Sequence, residues 1–371
     1  MRSKRRLFAG TTLAVATVIA VSGCAASAPV ATPAALSSTT VAAPTTTDPA
    51  TVGGSDFGPG PYRVEATVAV GESPTSIAID PEAGKAFVAR DGEGANGQSV
   101  SVIDTRTHTH SGDIPVGQVF PAGPQSIAVD TDTHLVYLVG GSSAGQVLVI
   151  DPDTESVTAI IEVDGDPVAV VVDALRHTLY VANRFSRTVT VVDTVTRATV
   201  ATIPVDGSPR GLAIDPDTHH LWVVSEAGAS VIDADNHTVS TTVQLAGDPK
   251  YIAIDPQTRT AFVTHPEQNW VSLIDTVTRT GMDSVSLGVR GSAFAAVVDP
   301  VAHTVYLSGG VFDVVTMIDT RTRAVTAARY SGITRTTPYG STTYGMAVDP
   351  VRHLLYVTNR DSGQIEVIAH E

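Results

Sequence analysis

The feature that most constrains this chain is a repeat. Seven aspartates end matching apolar runs: Asp80 (SIAID), Asp130 (SIAVD), Asp173 (VVVD), Asp215 (LAID), Asp255 (IAID), Asp299 (AVVD) and Asp349 (MAVD), spaced by 50, 43, 42, 40, 44 and 50 residues. A second series, Asp104, Asp151, Asp193, Asp233, Asp275 and Asp319, follows roughly twenty residues later in six of the units. Between Ser208 and Gly247 one unit resolves into four strand-length runs rich in Val, Ile and Thr, parted by Asp-Pro, Asp-Ala-Asp-Asn and glycine breakers. A lone four-stranded meander that is apolar on both faces would be poorly stable, and repetition lets each unit bury its faces against the next. The expected fold is all-β, a seven-bladed β-propeller with four antiparallel strands per blade.

Within the best-defined unit the strands run inner to outer as 211–214, 221–224, 229–232 and 239–245. The seventh unit ends at Glu371 without an outer strand. A spare strand, Tyr62 to Val70 (YRVEATVAV), precedes the first inner strand, so it is expected to complete the last blade and close the ring.

Tyr356-Val357-Thr358-Asn359 spells YVTN, and Tyr180-Val181-Ala182-Asn183 nearly does. Over about residues 62–371 the chain resembles the YVTN-repeat (YncE-like) family of seven-bladed propellers. The last position drifts to Arg90, Gly140, Ser225, His265 and Gly309 in other units. The resemblance implies the propeller fold. Its members include envelope and surface-layer proteins, and one branch binds DNA, so it implies no single activity.

The N-terminus reads as an export signal. Arg2, Lys4, Arg5 and Arg6 precede an apolar run from Leu7 to Val21, short for a membrane span. Val21-Ser22-Gly23-Cys24 resembles the lipobox of bacterial lipoproteins, in which the cysteine carries the lipid. Cys24 is the sole cysteine, so no intrachain disulfide supports the fold. Residues 1–23 are expected to be the signal peptide, 24–60 an Ala/Thr/Pro-rich disordered tether, and 61–371 the propeller. The full chain carries −15, and without the four leader cations it would carry −19. That charge disfavours general nucleic-acid binding.

The aspartate rings read as turn structure, since an Asp ending a strand accepts hydrogen bonds from N–H groups two residues on. His134, His177, His219, His303 and His353 each lie four residues after a ring aspartate. Equivalent turns of different blades are too far apart to share one ion, so each histidine is expected to bond its own blade's Asp. The four residues before each ring Asp carry no charge and no His, from Ser76–Ile79 through Gly345–Val348. Propeller lactonases and lyases place acid/base or metal-binding groups around that tunnel. No catalytic residue, metal site or cofactor is expected here.

The second-to-third-strand loops and the blade-to-blade connections share one face, which gathers the candidate ligand residues: Arg184, Arg210, Lys250, His265, Trp270, Phe294, Tyr344 and Arg360. Thr75, Gln125, Val168, Arg210, Lys250, Phe294 and Tyr344, each five before a ring Asp, should rim the channel mouth. Cations and aromatics together suit an anionic ligand. The plainer reading is solvated loop cations offset by Asp91, Glu93, Glu226, Glu267, Asp313 and Asp361. The expected protein is a monomeric, non-catalytic, lipid-anchored propeller outside the bacterial cell membrane, binding an envelope protein, a polymer or an anionic small molecule. The alternatives are a loop-built hydrolase or lyase and, from the resemblance alone, a DNA-binding protein.

Overall fold

The computed structural model describes residues 40–43, 62–92, 98–117, 123–140, 145–287, 293–309, 314–329 and 343–370. Cys24 and almost all of the expected signal peptide and tether lie outside the described residues. The described residues from Tyr62 onward form seven four-stranded antiparallel sheets arranged as a β-propeller, with no helix among them.

Blade four shows the pattern, with strands Gly211–Ile214, Leu221–Ser225, Gly228–Asp233 and Thr238–Val243 paired in that order. Its second strand is buried along its whole length, because neighbouring blades cover both faces. An alternating in-out pattern would have left one face wet. The outer strand is exposed over its first half, where threonine and serine meet solvent. In blades one to five the ladder to the outer strand carries a register shift, as between Val231 and Ile232, which adds local twist.

The core is divided among the blade interfaces. Trp222, Val224 and Val231 of blade four pack with Ile252, Ala261 and Val263 of blade five. Tyr356, Ile365 and Val367 of blade seven pack with Ile77, Ala86 and Val88 of blade one. Blade seven takes its outer strand from the front of the chain, where Tyr62–Ala69 pairs antiparallel with Gln364–His370, Tyr62 opposite His370 and Ala69 opposite Gln364.

Each ring aspartate is nearly or wholly buried and serves its own turn. Asp80 Oδ1 accepts from the N–H groups of Glu82 and Ala83 at 3.1 and 2.9 Å, and Asp299 Oδ1 from Val301 and Ala302 at 2.9 Å each. The fourth residue after the Asp is left-handed in every described turn of this kind, from Gly84 (φ 65°) through His134 (58°), His219 (56°) and Arg259 (54°) to His353 (54°).

That backbone twist corrects the expected histidine contact. His134 Nδ1 lies 2.6 Å from Asp80 Oδ2, His219 Nδ1 2.8 Å from Asp173 Oδ2, and His353 Nδ1 3.0 Å from Asp299 Oδ2. These three bond the preceding blade's aspartate, not their own; His303 Nδ1 is buried with no partner among the described residues, and so is Oδ2 of Asp130, the aspartate of the blade before His177. The left-handed residue aims its side chain across the gap, and the neighbour's second carboxylate oxygen is the one its own turn leaves free.

Candidate functional site

Two glycines let neighbouring inner strands approach closely near their starts. A Cβ on Gly211 would stand 2.5 Å from the Lys250 carbonyl oxygen and 2.8 Å from Tyr251 Cα. One on Gly345 would stand 2.6 Å from the Thr75 carbonyl oxygen. The backbones of blades four and five therefore touch where Arg210 and Lys250 leave them. Lys250 N–H donates to Thr264 O and Arg210 N–H to Val224 O, which ties both rim residues to the second strands of their own blades.

Around this mouth Thr75 and Val168 are buried, and Gln125, Arg210, Lys250 and Phe294 are half-buried. The Tyr344 side chain lies outside the described residues. Gln125 has a role that its sequence position did not signal. Its side-chain amide donates to Leu212 O at 3.1 Å and its amide oxygen accepts from Leu212 N–H at 3.0 Å, so blade two reaches past blade three to blade four. Its backbone also bridges Ala169 of blade three in parallel. Gln125 and Pro124 flank a cavity of about 320 Å³ whose other walls include Ile77, Ile127, Val170, Ile214 and Met346. The inner-strand side chains that line it are uncharged.

The cations of the loop face have carboxylate neighbours. Arg210 Nη2 is 3.8 Å from Glu226 Oε1, and Arg360 Nη2 is 3.4 Å from Asp91 Oδ2, both carboxylates named by the plainer reading. Lys250 Nζ sits 2.5 Å from Asp248 Oδ2, and Arg184 Nε 2.5 Å from Asp166 Oδ2, with the Arg184 guanidinium 5.2 Å from the Phe185 ring centroid. Partial burial holds the Asp91 carboxyl above its ordinary range, and Arg360 works against that shift. Arg210 is the least satisfied of these cations. Its Nε–H is buried with no partner among the described residues, and 3.8 Å is beyond a hydrogen bond.

His265 and Trp270 do not stand on the surface. Their rings stack at 3.7 Å with 24° between planes, His265 is fully buried and Trp270 is 7% exposed. His265 Nε2 lies 2.9 Å from Ser272 Oγ, and burial pushes its pKa down to about 4. The pair is therefore packed beneath the loop rather than presented on it. Sequence reasoning placed it at the surface because His and Trp on a connection look alike whether they face in or out.

Among the described residues no group of three or more His, Cys, Asp or Glu could hold a metal ion. A scan against protein-family models and a search of curated proteins found no match to the chain.

Proposed function

We propose that this propeller is a non-catalytic binding protein, lipid-anchored through Cys24 on the outer side of the bacterial cell membrane. It takes an anionic group of an envelope polymer, protein or small molecule at the loop-face mouth. A propeller supports a binding or scaffold role, and the resemblance to YVTN-repeat proteins is consistent with an envelope setting. The observation that carries the ligand reading is Arg210, half-buried beside Lys250 with an unused Nε–H. Its carboxylate neighbour Glu226 has a side chain 49% exposed and that of Lys250, Asp248, 40% exposed. Both carboxylates can turn to water while a ligand's carboxylate or phosphate takes the guanidinium fork. Arg184, Phe294, Tyr344 and Arg360 would border the same partner.

The test is titration of the full chain with a uronic-acid oligosaccharide and its neutral counterpart. The acidic probe should bind more tightly, and Arg210→Ala with Lys250→Ala should weaken it about ten-fold or more, on the order of 1.4 kcal/mol. Melting should stay within a few degrees. Equal affinity for the two probes, or an unchanged affinity in a folded double variant, returns this mouth to ordinary surface.

A further inference from the structure

One stretch of the Ala/Thr/Pro-rich segment, Thr40–Ala43, is among the described residues, and part of it is not in solvent. Val41 donates its N–H to Gln244 O at 3.1 Å and accepts from Ala246 N–H at 3.0 Å, a parallel bridge beside Leu245. Its side chain is 3% exposed and packs in the cluster that holds Trp222, Val243, Leu245, Ile252 and Val263. Those residues belong to blades four and five, so Val41 fills the slot between them. Thr40, Ala42 and Ala43 stay exposed, which makes this a one-residue anchor. At this residue the expected free tether is fastened to the head.

The physical basis is that of strand addition. The link after the outer strand of blade four presents a carbonyl and an N–H with no partner from its own sheet, and an extended segment can take both. Specificity comes from the side chain between them. Valine suits the slot because it is apolar and its χ1 is already restricted, so little side-chain entropy is lost on docking.

We propose that the slot between blades four and five is a strand-docking site whose resident occupant is the chain's own Thr40–Ala43, and that this docking shortens the stretch of chain between Cys24 and the propeller. Fifteen residues, 25–39, then separate Cys24 from the docked stretch. The link to Cys24 rests on the lipid-anchor reading above, whereas the docking does not.

Hydrogen exchange of the full chain tests the docking directly. The Ala246 amide should be protected in the wild type and exchange at least about ten-fold faster in Val41→Asp, where a carboxylate would have to enter an apolar slot. The amides of residues 222–224 in the blade core serve as the control for folding. Should Val41→Asp lose that control as well, Val41→Gly gives the same reading with a milder change. Ala246 exchange that is equal in wild type and folded variant overturns the proposal. Failure of the anchor would show otherwise: Cys24→Ala would leave membrane association unchanged, with Ala246 protection unaffected.

Discussion

Histidine serves two opposite electrostatic purposes in this chain, and the difference lies in what each ring faces. His134 reaches out of a left-handed turn to the buried Asp80 carboxylate, and that hydrogen bond raises its pKa despite some desolvation. His265 is enclosed against Trp270 with a hydroxyl for company, and burial lowers its pKa to about 4. The consequence for stability follows from proton counting. Between the ordinary value near 6.5 and about 4 the unfolded chain binds a proton at residue 265 that the folded chain refuses. Stability is thus full above the upper value and falls as pH drops through this window, by up to about 1.4 kcal/mol per unit. Urea unfolding at several pH values should show that fall in the wild type and a smaller one in His265→Asn. Identical pH dependence in the two proteins would mean that the ring is not buried neutral. The histidine positions were legible in the sequence as a register, but their partners were not. A turn seen alone offers its own aspartate first, and only the twist of the ring puts the neighbouring blade's carboxylate closer.

At the scale of strands, the two ends of the chain hold one another. Tyr62–Ala69 covers the edge of Gln364–His370, and Val68 and Val70 are buried in the interface that also holds Ile365 and Val367. Deleting residues 25–60 should leave this closure intact and lose only the docking of Val41, a cost of about 1.5–3 kcal/mol for one buried valine. Extending the deletion through Val70 should bare the edge of Gln364–His370, with aggregation or a large drop in melting temperature. Thermal melts of the two truncations check this, and equal stability would count against closure by the N-terminal strand. The need for such a strand was legible, because the seventh unit has three runs where the others have four. The Val41 contact was not. A single valine in a Thr/Ala tract carries no periodic signal, and its partner, the blade-four link, lies some two hundred residues away.

For the whole molecule, the proposed setting outside the membrane rests on Cys24. Replacing it with alanine should release the protein from the membrane fraction into the soluble one. One acyl chain would give only marginal attachment, so mass spectrometry of the wild type should find more than one. A Cys24→Ala protein that stays with the membrane, its N-terminus intact, would end the lipoprotein reading. The amino-acid sequence alone determined the all-β propeller, its seven blades and their four-strand order. Each of those follows from a local period repeated along the chain, and a period is visible without coordinates. The tertiary structure decided what the mouth is made of. It paired Arg210 with Glu226 and Lys250 with Asp248, turned His265 and Trp270 inward, and sent Gln125 across to Leu212. Gln125 and Leu212 come from different blades, Arg210 and Glu226 from different loops of one blade, and His265 and Trp270 from the two ends of one loop. Their distances depend on how the blades rotate about the axis and how closely Gly211 lets two backbones approach, which no one-dimensional pattern encodes.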